Sequence, residues 1–88
     1  MFKLFSGGNF NDVIERVSNE KMSIVNASFS SGIITILAKE SSAKGTLKLF
    51  QGYNSEDVIE QANAFGEIEF SIIDSPCKFL FVREKSKK

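Results

Sequence analysis

The sequence predicts an α+β fold made by tandem duplication of a β-α-β-β unit, giving six strands and two helices. Two observations carry that prediction. First, Lys3 to Glu15, KLFSGGNFNDVIE, returns at Lys48 to Glu60 as KLFQGYNSEDVIE. Aligned without a gap at a spacing of 45 residues, positions 2–40 and 47–85 share ten identities: Lys3/Lys48, Leu4/Leu49, Phe5/Phe50, Gly7/Gly52, Asn9/Asn54, Asp12/Asp57, Val13/Val58, Ile14/Ile59, Glu15/Glu60 and Ser30/Ser75. Average residue usage would give roughly two or three. Second, the hydrophobic pattern inside each copy passes from a short apolar run to a period of 3.6 and then to a period of two.

In the first copy, residues 2–5 form a short strand broken by Ser6-Gly7-Gly8. Asn9 can accept a hydrogen bond from the free amides of a following helix, with Asp12 favourably placed at the helix dipole. Phe10, Val13, Ile14 and Val17 make one apolar stripe, so the helix runs from about 10 to 20 and packs on a sheet. From Ser23, Val25, Ala27 and Phe29 alternate with Asn26 and Ser28 up to a Ser30-Ser31-Gly32 turn. The returning strand, Ile33 to Lys39, is apolar on both faces, as in a strand covered on both sides.

The second copy repeats this order. Leu47 to Phe50 is a strand. Asn54 caps a helix over Ser55 to Ala64 with Val58, Ile59, Ala62 and Phe65 inward, and Gly66 stops it. Ile68, Phe70 and Ile72 then alternate with polar residues, Asp74-Ser75-Pro76 turns, and Lys78 to Arg83 closes the hairpin.

The 88 residues read as a single domain: repeat 1 over 2–40, a linker over 41–46, repeat 2 over 47–85 and a basic tail over 86–88. The short linker predicts that the third strand of the first copy turns back alongside the first strand of the second. Two similar copies are expected to pack about a pseudo-two-fold axis. In that arrangement Leu4 and Leu49 face the helices, while Lys3/Lys48 and Phe5/Phe50 lie on the other face beside Leu37 and Val82.

Eleven basic and eleven acidic residues cancel, so the total charge implies no strongly polyanionic partner. The acids gather on the two helices, and the bases on strands, linker and tail. The lone Cys77 excludes an intramolecular disulfide, and without His there is no Cys–His pair or zinc set. It reads as a small filler beside a turn. No apolar run approaches a membrane span, so a soluble cytoplasmic protein without a membrane partner is expected.

Enzyme chemistry is not expected, nor is a cofactor or a metal. Asp12/Glu15 and Asp57/Glu60 resemble acid/base pairs, but helix capping and a solvent-facing side explain them. Ser6-Gly7-Gly8-Asn9 could cradle a phosphate at a helix start, yet it lacks a phosphate-binding Lys at the required spacing and the second copy reads Gln-Gly-Tyr-Asn. The candidate site residues are Lys3, Lys44, Lys48, Lys78, Arg83 and Lys85, as phosphate contacts on a strand surface. Phe5 and Phe50 either fill a core between the copies or stack on unpaired bases.

The second copy also has the form basic-apolar-Phe, Gly-Tyr, helix, Gly stop and a hairpin ending in basic residues, here Lys48-Leu49-Phe50-Gln51-Gly52-Tyr53, Gly66, and Phe79 to Lys85. This resembles the C-terminal double-wing DNA-binding domain of the T-even phage middle-promoter transcription activator. The resemblance implies a double-wing-like fold and a small phage-like regulatory protein that binds nucleic acid, DNA or RNA, or a host nucleic-acid machine. Two further readings stand beside it. One is an inhibitor that binds a host protein through its acidic helices and an apolar sheet face, and the other is a homodimer whose open sheet face is the subunit interface.

Overall fold

The structure, a computed structural model, describes residues 1–41 and 45–85. Its elements are β1 (Phe2–Gly7), α1 (Phe10–Asn19), β2 (Met22–Ser30), β3 (Ile33–Glu40), β4 (Leu47–Gly52), α2 (Ser55–Phe65), β5 (Gly66–Ile72) and β6 (Lys78–Glu84). The fold is therefore α+β, with the β-α-β-β order twice.

The helix starts follow the capping chemistry. Asn9 Oδ1 accepts the Asp12 amide at 3.1 Å, and Asn54 Oδ1 accepts the Asp57 amide at 3.1 Å. Asn9→Ala and Asn54→Ala are each expected to cost about 1 kcal/mol, read as a drop in Tm of about 4–8 °C for a domain of this size. One residue before each loop, Gly7 and Gly52 lie under the helix, where an added Cβ would meet Val13 or Val58 at 3.0 Å. Close strand-to-helix packing thus fixes glycine at the same place in both copies. Gly66 ends α2 in the same spirit: its backbone is extended, and a Cβ there would run into the Arg83 carbonyl.

Each unit makes its own three-stranded antiparallel sheet, ordered β1-β3-β2 and β4-β6-β5. Contrary to the linker-based expectation, β3 and β4 do not pair; each third strand instead runs back between the first and second strands of its own unit. Residues opposite one another in register share a face. In the first sheet the inner face carries Phe5, Ile24, Ile34, Ile36 and Ala38, all buried under α1. Its outer face carries Phe2, Leu4, Thr35, Leu37 and Lys39, and is open. In the second sheet Phe50, Leu80 and Val82 lie under α2, with Val58, Ala62 and Phe65. Its opposite face carries Leu47, Leu49, Phe79, Phe81 and Arg83, all buried.

These registers correct the assignment of faces. Phe5 pairs with Ile36 and Phe50 with Leu80, so both rings point at the helix of their own unit. Leu49 lies on the back of its sheet, and Leu4 is exposed. Leu37 faces Leu4 rather than Phe5. The doubly apolar strand β3 is covered on one side only, whereas β6 is covered on both.

The two units correspond at two different spacings. Strand one and the helix repeat at 45 residues. Ile24 faces Ala38 as Ile68 faces Val82, a separation of 44, and the β-bulges after Ile24 and Ile68 coincide at that spacing. The missing residue falls at the helix-to-strand junction, where Glu20 and Lys21 turn the chain in the first copy and α2 runs straight into β5 in the second. At 44 residues Ile24/Ile68, Ser31/Ser75 and Glu40/Glu84 become identities, and Ser30/Ser75 drops out.

The main core joins the inner face of the first sheet, α1 and the back of the second sheet. β2 meets β5 directly, and α1 lies against β4 on the opposite side of the junction, filling the wedge between the sheets. Phe10, Phe29 and Phe79 pack together there, with centroids 5.2 to 5.8 Å apart. Here the arrangement departs from the expected pseudo-two-fold. Front meets back, and among the described residues α2 makes no contact with β1 to match α1 on β4. The order through the molecule is first sheet, α1, second sheet, α2. A one-way stack of this kind is a heterologous contact.

Candidate interaction surfaces

The basic residues singled out by sequence are not brought to one surface. Lys3 Nζ binds Glu20 Oε1 at 2.7 Å, at the far end of α1, and lies 5.2 Å from the Phe5 centroid. Lys48 is exposed and stands over Phe50 and Phe65, at 5.3 and 5.5 Å. Lys78 donates to the Ser75 and Pro76 carbonyls at 2.8 and 3.5 Å, closing the β5–β6 turn. It shares a face with Lys48 but sits at the opposite end of the β4–β6 pair. Lys85 is exposed past the end of β6. Lys44 and the basic tail 86–88 lie outside the described residues.

Arg83 has a different place from the one sequence suggests. It is buried, on the back of the second sheet, and its guanidinium grips Glu69 twice, Nε to Oε1 at 3.0 Å and Nη2 to Oε2 at 3.2 Å. Nη2 also donates to the Met22 carbonyl at 2.8 Å, and Nη1 to the Gly45 carbonyl at 3.2 Å. Glu69 Oε2 in turn accepts the Ile24 amide at 2.8 Å. The pair therefore covers the otherwise unpaired edge of β2 and stitches the two units together. Sequence held one clue: Arg83 has the same strand parity as Phe79 and Phe81, which places it on a core face. Phe5 is buried and Phe50 partly so, each against its own helix, so neither ring is open for stacking on a base.

Among the described residues no group of three or more His, Cys, Asp or Glu side chains could hold a metal, and no helix is long and apolar enough to cross a membrane.

The surfaces left open are the two ends of the stack, and the duplication makes them legible. Phe2 is 62% exposed and Leu4 66%, whereas their counterparts Leu47 and Leu49, under α1, are 3% and 8% exposed. Ile59 is 42% exposed and Ile68 40%, whereas their counterparts Ile14 and Ile24 are 3% and 7% exposed. One end is thus the outer face of the first sheet, with Leu37 beside Leu4. The other end is the outer side of α2 with the neighbouring front of β5. Ile59 corrects the expectation of an inward position, because only α1 has a second sheet to lie on.

Fold and surface together define a duplicated α+β domain, stacked head to tail, with an apolar patch at each end. No family model, curated protein or solved structure matches the chain.

Proposed function

We propose that the chain is a non-enzymatic protein-interaction module that docks an amphipathic helix on the outer face of its first sheet. The observation that carries this reading is the exposure of Phe2 and Leu4, where the equivalent Leu47 and Leu49 lie beneath α1. A paired set of large apolar side chains on an open strand face is what a helix-docking surface requires. The apolar character is retained on β1 and at Leu37, the part that lies under a helix in the second unit. It is lost on the β2 side, where Asn26, Ser28 and Thr35 replace Phe70, Ile72 and Phe79. That pattern suits a single helix better than a second sheet.

A nucleic-acid reading rests on less, since among the described candidates Lys3 is exposed but ion-paired with Glu20, Arg83 is buried, Lys78 is bonded to its own turn, and Lys48 and Lys85 are the other exposed cations. Titration of labelled single-stranded RNA, single-stranded DNA and duplex DNA at about 50 and 200 mM salt separates the two, because multiple phosphate contacts lose affinity steeply over that range. The expected result is no salt-sensitive binding to any of them. Salt-steep binding abolished by Lys48→Glu with Lys85→Glu would replace the helix-docking reading with the nucleic-acid one.

A further inference from the structure

We infer that the helix docked on the outer face of the first sheet is α2 of a second copy of this chain, so that the molecule associates head to tail into an open series. The inference rests on the helix-docking reading and supplies its partner. The chain already contains one example of the contact. Within it, the first unit places Ile14 of α1 against Leu47 and Leu49 of β4, and β2, which carries Ile24, against β5. The second unit presents Ile59 and Ile68 at the same places, uncovered, and the first unit presents Phe2 and Leu4, also uncovered. The donor and acceptor halves of one junction therefore stand free at opposite ends of the same molecule. Repeating the internal operation brings them together.

The polar groups of the junction are compatible with that repetition. Ser18 Oγ accepts the Leu47 amide at 3.1 Å in the internal junction. Its counterpart Asn63 is exposed on α2 and offers a carbonyl oxygen at the place that would meet the Phe2 amide. The buried ion pair is not repeated, because Val25 occupies the bulge position of Glu69. The contact between molecules is accordingly weaker than the one within, and shows itself as concentration-dependent association rather than a fixed oligomer. A heterologous contact does not stop at two copies, as a two-fold contact does, because each added molecule presents the same free end again.

Two variants block one end each: Leu4→Lys removes the acceptor and Ile59→Lys the donor. Both positions are exposed, so folding is checked simply by circular dichroism and melting. In light scattering the unmodified chain is expected to show a weight-average mass at ~1 mM at least about twice that at ~10 μM, as weak small interfaces do. Each variant alone should stay monomeric. An equimolar mixture of the two should form a one-to-one dimer, since each supplies the end the other has kept. A dimer formed by Ile59→Lys alone would overturn the inference in favour of a two-fold contact through the sheet face. A strictly monomeric unmodified chain would overturn self-docking, and would leave the helix-docking reading in place if nucleic acid also fails to bind. Salt-steep nucleic-acid binding would remove that reading itself.

Discussion

Arg83→Ala is expected to remove a large fraction of the folding stability of this small domain. The guanidinium makes four hydrogen bonds in the junction, two to Glu69 and two to main-chain carbonyls on separate segments. Removing it strands the Glu69 carboxylate in a site nearly closed to water and leaves the Met22 carbonyl without its donor. Breaking one partner of a buried ion pair costs about 3–5 kcal/mol, against a total of roughly 4–13 kcal/mol for a domain of this size. Urea unfolding followed by circular dichroism measures the loss. The double replacement Glu69→Leu with Arg83→Met should recover much of it, because paired apolar groups leave no uncompensated charge. Failure of the double variant to exceed Arg83→Ala would mean that the Met22, Ile24 and Gly45 main-chain bonds outweigh the charge.

Phe81→Ala is expected to cost about 3–5 kcal/mol, the range for truncating a fully buried aromatic ring. Phe81 lies on the back of the second sheet between Leu49 and Phe70, in the core shared by both units. Leu37 is its structural counterpart, at a separation of 44 residues, on the open back of the first sheet. Leu37→Ala should cost about 1 kcal/mol, an ordinary substitution effect, when both are measured at low protein concentration. If the stack were a symmetric pair, the two positions would share one environment and the two losses would be equal. A large difference between chemically similar truncations at equivalent places is the energetic signature of a one-way junction.

Much of the local architecture could be read from residues alone because local chemistry dictates it. Asn9 and Asn54 cap because a side-chain oxygen at that position satisfies a helix amide, whatever surrounds it. The turns expected at Ser30-Ser31-Gly32 and Asp74-Ser75-Pro76 likewise needed no tertiary information, and the chain turns at 31–32, after Ser30 has closed β2, and at 74–77. What sequence could not supply was the relation between units. A single residue less at the junction of α2 and β5 shifts strand parity, and a gap-free alignment then pairs Thr35 with Leu80 where the sheets pair it with Phe79. One residue of slip exchanges the two faces of a strand, so Leu37, expected beside Lys3 and Phe5, lies on the other face, whereas Val82 lies beside Lys48 and Phe50 as expected. Arg83 was misread for a related reason. Its charge drew it toward a solvent surface, while its parity with Phe79 and Phe81 placed it inside.

The shared core also decides how the two halves gain their order. Nearly all of the large buried side chains belong to the one cluster that spans α1, the front of the first sheet and the back of the second, and the second unit retains only Val58, Ala62, Leu80 and Val82 as a buried cluster of its own. A repeat with so little private interior has little reason to hold its shape until its neighbour is in place, as in arrays whose stability resides in the interfaces between repeats. The two copies of the sequence are therefore expected to unfold in one cooperative transition, because the back wall of the second copy is supplied by the first.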